Sequence, residues 1–188
     1  MNPLLLDIPE ELESERLLLR VPRAGDGAVV NDSVRASFEQ LKRWMPWAQE
    51  IPSGEDSEEF ARRARVKFLL REELPFLLFL KETSTHIGNM GLHDIDWKVP
   101  RFEIGYWLHT AHCGQGYMTE AVGAVSHFAF TTLNAARIQI RMDDRNEPSY
   151  RVAQRCGFQL ECVRHWDARG NDDSLRDTRV YVKTAAPG

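Results

Sequence analysis

Between residues 118 and 133 the apolar positions Met118, Ala121, Val122, Val125, Phe128, Ala129 and Leu133 recur at the i, i+3, i+4, i+7 spacing of a helix packed on a sheet. Two earlier stretches also read as helices. Asp26 opens one that runs to about Trp44, and a Ser57-Glu58-Glu59 start resembling a capping arrangement opens another to Arg71, with Phe60, Ala64, Lys67, Phe68 and Arg71 at helical spacing. Elsewhere the period shortens. Residues 16–21 alternate as a short, well-buried strand. Residues 74–81, 86–95 and 101–109 predict an antiparallel meander, broken by the turn-like Glu82-Thr83-Ser84-Thr85 and Trp97-Lys98-Val99-Pro100. A strand over 137–142, a short helix over 147–155 and a closing strand pair over 158–164 and 178–184 complete the pattern. Helices and a meander early, with strand and helix alternating late, predict a mixed α/β sheet.

At 188 residues the chain suits one domain, residues 1–188, with no internal repeat and a single linker-like stretch, Ile51-Pro52-Ser53-Gly54. Its 24 Lys and Arg against 28 Asp and Glu give a net charge of −4 with both signs interspersed, which argues against nucleic-acid and membrane partners. The start Met1-Asn2-Pro3-Leu4-Leu5-Leu6-Asp7 lacks a basic region, so neither a signal peptide nor a span is expected there. Cys113, Cys156 and Cys162 are odd in number and unpaired in spacing; reduced thiols in a cytoplasmic protein are the expectation.

The candidate chemistry lies where a strand, Glu103-Ile104-Gly105-Tyr106-Trp107-Leu108, leads through Gly114-Gln115-Gly116-Tyr117 into the striped helix. Glycines let backbone N–H groups approach an anion, and the positive end of the helix dipole favours it, so the arrangement suits phosphate without a metal. Some thirty residues on, Asn146 suits an N-cap, Pro148 a first helical turn and Gly157 a C′ position, bounding a short helix with Ser149, Val152, Ala153 and Cys156 on its inward side. His109, His112 and Cys113 are close in sequence but have no second ligand cluster, so no metal is expected. Cys156 reads as a small core residue.

In that order, the glycine loop and residues 146–158, with Glu15-Arg16-Leu17-Leu18-Leu19-Arg20, the stretch Leu41 to Trp47 and Gly88-x-x-Gly91, resemble the GCN5-related N-acetyltransferases (GNAT), and within them the RimJ/RimL-like ribosomal-protein acetyltransferases. The resemblance implies a GNAT fold, a central, mostly antiparallel mixed sheet flanked by helices, and acetyl-coenzyme A as cosubstrate. It implies cofactor contacts from Trp107, Leu108 and His109, from Gly114, Gln115, Gly116, Tyr117, Met118 and Thr119, and from Asn146 and Ser149. The pantetheine arm is expected in a splay between the strands at 106–108 and 137–142. The family's Gln or Arg at the start of the loop is Ala111 here.

Acetyl transfer to an amine needs a neutral nucleophile, a polarised carbonyl and a proton for the leaving thiolate. An α-amine, with a pKa of about 8, meets the first demand more easily than a lysine near 10.4. By the same resemblance Glu103 is the carboxylate that takes the amine proton, usually through water; the other reading is a surface carboxylate or an ion pair with Arg101 or Arg141. The family's tyrosine proton donor is Gln154 here, so Ser149 is expected to donate to or stabilise the thiolate, with Tyr150 second; alternatively Ser149 only bonds its helix terminus. Trp44, Pro46 and Trp47 suit either an acceptor groove or packing. Glu50, Glu55, Asp56, Glu58 and Glu59 are read as complementing a helix dipole more than as drawing in a cation. The leading acceptor is a protein or ribosomal-protein N-terminus. A small amine such as a polyamine or antibiotic, or a non-catalytic acyl-coenzyme A sensor, are the other readings, and a homodimer is suggested by the resemblance alone.

Overall fold

A computed structural model describes residues 2–185. One eight-stranded sheet runs through them, built from β1 (Glu11–Glu13), β2 (Leu17–Arg20), β3 (Leu74–Leu80), β4 (His86–Asp96), β5 (Arg101–Leu108), β6 (Arg137–Asp143), β7 (Gln159–Arg169) and β8 (Leu175–Thr184) in the order β1-β2-β3-β4-β5-β6-β8-β7. Four helices flank it: α1 (Gly27–Trp44), α2 (Gly54–Leu70), α3 (Tyr117–Thr131) and α4 (Glu147–Arg155).

Every neighbouring pair is antiparallel except β5 and β6, which the α3 crossover makes parallel. That pairing is short: Arg101, Phe102 and Glu103 meet Arg137, Ile138 and Gln139, and there it ends. Beyond it β6 continues against β8 alone and β5 against β4 alone. The sheet therefore opens in its middle, between Ile104 to Leu108 and Ile140 to Asp143.

The meander, the α3 stripe and the bounds of α4 agree with the sequence pattern. The second helix does not start at Ser57. Ser53 caps it, its hydroxyl accepting from Asp56 N (3.1 Å) while the Asp56 carboxylate accepts from Ser53 N (2.9 Å), so the linker-like Ser53-Gly54 is the first turn of α2. Phe60 leaves the inward stripe with it: Ser57, Ala61, Ala64 and Phe68 are buried, and Phe60 is exposed. Strand β1 is too short to carry a period and escapes the sequence reading.

Two cores result. On one face Met90, Leu92, Phe102 and Ile104 pack against Val122, Val125 and Phe128 of α3; on the other Leu77, Phe79 and Trp107 meet Val30, Val34, Phe38 and Leu41 of α1. Each fully buried side chain of this size contributes roughly 1.5–3 kcal/mol. Two of the acids at residues 55–59 serve helix starts: Asp56 in the α2 cap, and Glu58, whose carboxylate accepts from Gly25 N (2.9 Å) and Gly27 N (3.0 Å) at the beginning of α1. At the other end of α1, Asn171 in the β7–β8 turn donates to Lys42 O (2.6 Å) and Met45 O (2.8 Å). Among the described residues no helix is long and apolar enough to cross a membrane.

Candidate active site

The glycine loop forms one wall of a cleft of about 930 Å³ that α3 and α4 line together with Gln40, Leu41 and Trp44 at the end of α1. Gly114 and Gly116 hold φ of +77° and +84°, conformations that a side chain resists, and turn the chain directly into α3. No side chain caps α3, and its first return bond is Glu120 N to Gly116 O (3.0 Å), so the amides of Tyr117, Met118 and Thr119 have no partner within the helix. The loop is braced from far away. Arg16 lies over the Tyr117 ring at 4.3 Å, donates Nη1 to Gln115 O (3.1 Å) and donates Nε to Glu120 (2.7 Å). Burial alone raises the Glu120 pKa, yet hydrogen bonds from Arg16 and Ser14 outweigh it and hold the carboxyl below its usual range. A cation from before β2 thus stands beside the loop whose own first position is Ala111.

Opposite the loop stands α4. Asn146 Oδ1 accepts from Ser149 N at 3.3 Å, and Pro148 occupies the first turn. Among the described residues the Asn146 Nδ2 has no protein hydrogen-bond partner. The Ser149 hydroxyl lies 2.9 Å from Tyr106 Oη, which also donates to Ser149 O at 3.1 Å. Burial pushes the Tyr106 phenol up to about 12. Tyr106 therefore keeps its proton at neutral pH, and it fixes Ser149 at the opening between β5 and β6. Arg151 and Arg155, one turn apart, line the same cleft.

A second cavity, of about 600 Å³, lies on the α1–α2 side. Its floor follows from the β4–β5 register, which sets Asn89 opposite Trp107, Gly91 opposite Gly105 and His93 opposite Glu103. The middle pair has no side chains of its own, and the His93 ring lies over Gly105. Phe60, Val34 and Trp47 form the roof, and Trp47 lies 6.3 Å from Trp107. Met45, Tyr106 and Trp107 border both cavities, so the two meet where β5 and β6 part.

Of the residues expected on the cofactor side, Trp107, Leu108, Gly114, Gly116, Tyr117, Met118, Thr119, Asn146 and Ser149 line the first cleft together. His109 and Gln115 do not: His109 Nδ1 caps the following 3-10 turn at Ala111 N (3.1 Å), and Gln115 turns its side chain back to Ala111 O (3.1 Å). Glu103 is buried, with Oε2 bound by Arg141 Nε (2.5 Å) and Gln139 Nε2 (2.8 Å), and it lines neither cavity. It is the ion pair with Arg141 rather than a surface carboxylate. Tyr150 stacks on Tyr181, away from the cleft, and Gln154 donates to Tyr181 Oη (3.0 Å). Trp44 borders the first cleft and Trp47 the second, while Pro46 borders neither. Arg151, Arg155 and His93 escaped the sequence reading, which placed Tyr106 on the strand of the splay without a role for its side chain. The spacing of the two arginines, four apart on a helix already placed, was a signal for them; nothing short of the strand register marks His93.

Residues 16–159 match the acetyltransferase (GNAT) domain family. The ribosomal-protein-serine acetyltransferase of Escherichia coli (strain K12) is 28% identical over 83% of this chain and 89% of its own length. The N-acetyltransferase p20 of Bacillus licheniformis is 38% identical over 46% of this chain, which there spans about half of the relative's length (48%). Among solved structures, the RimL ribosomal L7/L12 alpha-N-protein acetyltransferase in complex with coenzyme A superposes with a TM-score of 0.86 at 23% identity, over 93% of this chain and 98% of that one. The microcin C7 self-immunity acetyltransferase MccE, in complex with acetyl-CoA and AMP, gives 0.84 at 21%, over 92% and 94%. At these identities the two structures speak for the fold, and the domain match over most of the sequence places this chain in the acetyltransferase (GNAT) family.

Proposed function

We propose that the protein transfers the acetyl group of acetyl-coenzyme A to a primary amine, foremost the N-terminal α-amine of a protein, ribosomal proteins included. The observation that carries this reading is the pair of cavities that meet at Met45, Tyr106 and Trp107, where β5 and β6 separate. The first cleft fits the donor. The bare Gly114, with nothing within 4 Å of an added Cβ, and the free amides at the start of α3 suit a pyrophosphate, and the parted β5 edge offers main-chain groups to an extended amide-bearing arm. Arg151 and Arg155 add cations at its rim.

Bound there, acetyl-coenzyme A supplies an activated thioester. The chain's own residues then do modest work. Asn146 Nδ2 is a hydrogen-bond donor beside the opening. Ser149 Oγ, oriented by Tyr106, carries the proton that a leaving thiolate needs; a thiol pKa near 8.5 makes that demand small. Glu103, behind the acceptor cavity, is the carboxylate toward which the amine's proton leaves, through an intermediary because Glu103 itself lines neither cavity. The acceptor cavity holds an amine and a short side chain against apolar walls, which suits a peptide terminus better than a long polycation.

The test is thiol release from acetyl-coenzyme A on a panel of Ser- and Ala-starting peptides, polyamines and amine antibiotics. Release with the peptides, lowered about tenfold in Ser149→Ala, or roughly 1.4 kcal/mol in the barrier, supports both the reaction and the serine. Turnover confined to the small amines moves the acceptor to that class. Acetyl-coenzyme A binding with no turnover on the whole panel makes the protein an acyl-coenzyme A sensor.

A further inference from the structure

We propose that His93 is the group that takes the proton of the acceptor amine, and that Glu103 acts through it as a positioning residue. The inference rests on the acetyl-transfer reading above and names a residue that reading lacks.

Glu103 lines neither cavity, and its Oε2 is already bound by Arg141 and Gln139. A carboxylate that reaches neither cavity is screened from substrate. Its other oxygen, Oε1, faces His93 Nε2 at 3.9 Å. His93 is the next residue outward: its side chain is 38% exposed and lines the acceptor cavity. The order is carboxylate, imidazole, cavity, in a line across the sheet.

The backbone makes that line possible. The register puts His93 directly opposite Glu103, and the neighbouring Gly91–Gly105 pair leaves room for the imidazole. The ring lies over Gly105 so closely that a Cβ there would sit 2.7 Å from Nε2. At 3.9 Å the carboxylate acts on Nε2 through its charge, which favours a proton there and leaves the Nδ1 lone pair toward the cavity. Among the described residues Nδ1 has no hydrogen-bond partner. A group that orients one ring nitrogen while the other handles the proton is a general arrangement for acid–base work.

The step is a proton transfer. The N–H bond of the ammonium breaks, its electron pair stays on the amine nitrogen as the nucleophile, and the proton bonds to Nδ1; the imidazolium then returns it to solvent through the cavity mouth. Other charges facing this region are Asp56 of α2, bound to Ser53 (2.9 Å), Glu73 before β3, bound to Lys67 (2.8 Å), and Asp96 of β4, paired with Arg101 (3.6 Å). Arg141 stands behind Glu103 on β6. Each of these carboxylates has a nearer partner than His93.

The experiment compares wild type, His93→Gln, His93→Ala and Glu103→Gln in acetyl-coenzyme A thiol release with a Ser-starting peptide, across pH. His93→Gln is expected to lower kcat/KM roughly 100-fold near neutral pH. The deficit should close to a few-fold well above the α-amine pKa of about 8, where the free base no longer needs a proton acceptor. Glu103→Gln should lose about tenfold and keep the wild-type pH dependence. Free imidazole in the buffer should restore part of the activity of His93→Ala. Wild-type turnover that His93→Gln retains with the same pH dependence overturns the assignment alone. A pH-independent loss without imidazole rescue also overturns it, since that is what a structural role gives. Absence of wild-type thiol release on every amine offered overturns the acetyl-transfer reading and this one with it.

Discussion

Gly105 shows how much of this site depends on a missing side chain. Its backbone lies outside the left-handed region, so the strand itself tolerates alanine there. The obstacle is the His93 ring, 2.7 Å from where the methyl would be. Gly105→Ala is therefore expected to fold normally, to displace the imidazole and to reproduce much of the His93→Gln defect, about tenfold in kcat/KM, while the KM for acetyl-coenzyme A stays put; steady-state kinetics in both substrates separates the two. At this scale the sequence was legible where a residue sits in a local motif. Asn146, Pro148 and Ser149 declare a helix start within four positions, and Gly114 and Gly116 declare a turn. His93 and Glu103 are ten residues apart and meet only once β4 and β5 are in register, with an irregularity between His93 and Asp96 that no periodicity reveals. Tyr106 is likewise mute until α4 is folded onto β5, 43 residues later.

Among the elements, the α3 entrance is the one whose support comes from outside. Arg16 reaches from the turn before β2 to Gln115 O and to Glu120, contacts about 100 residues apart in sequence. Arg16→Ala should leave the reaction chemistry alone and raise the KM for acetyl-coenzyme A roughly threefold, the modest scale of an exposed ion pair; a titration of cofactor binding in the mutant checks it. The sign with pH follows from Glu120. Its folded pKa lies below the unfolded value of about 4.3, so the brace is present above that value and is lost as pH falls through the folded pKa. Helix periods identified α3 and α4 because each buries one face on a sheet. The start of α2 was misplaced because its true cap, Ser53, stands beside a glycine and a proline that read as linker. Strand β1 has three residues and no period to show.

For the molecule as a whole, the class and the meander were legible because alternating and striped apolar positions must bury somewhere, and the two cores account for them. What no pattern could give is the gap between β5 and β6. It arises from a parallel pairing that stops after three residues, and it puts Met45, Tyr106 and Trp107 on the border of both cavities. A molecule with two cavities that meet only at these three residues has a kinetic signature: each substrate has its own door. Initial velocities measured against both substrates should give intersecting reciprocal plots, because donor and acceptor are held at once and neither must leave before the other arrives. Product inhibition should follow the same logic: the acetylated amine competes with the acceptor and not with the donor. Parallel reciprocal plots would mean that one door serves both.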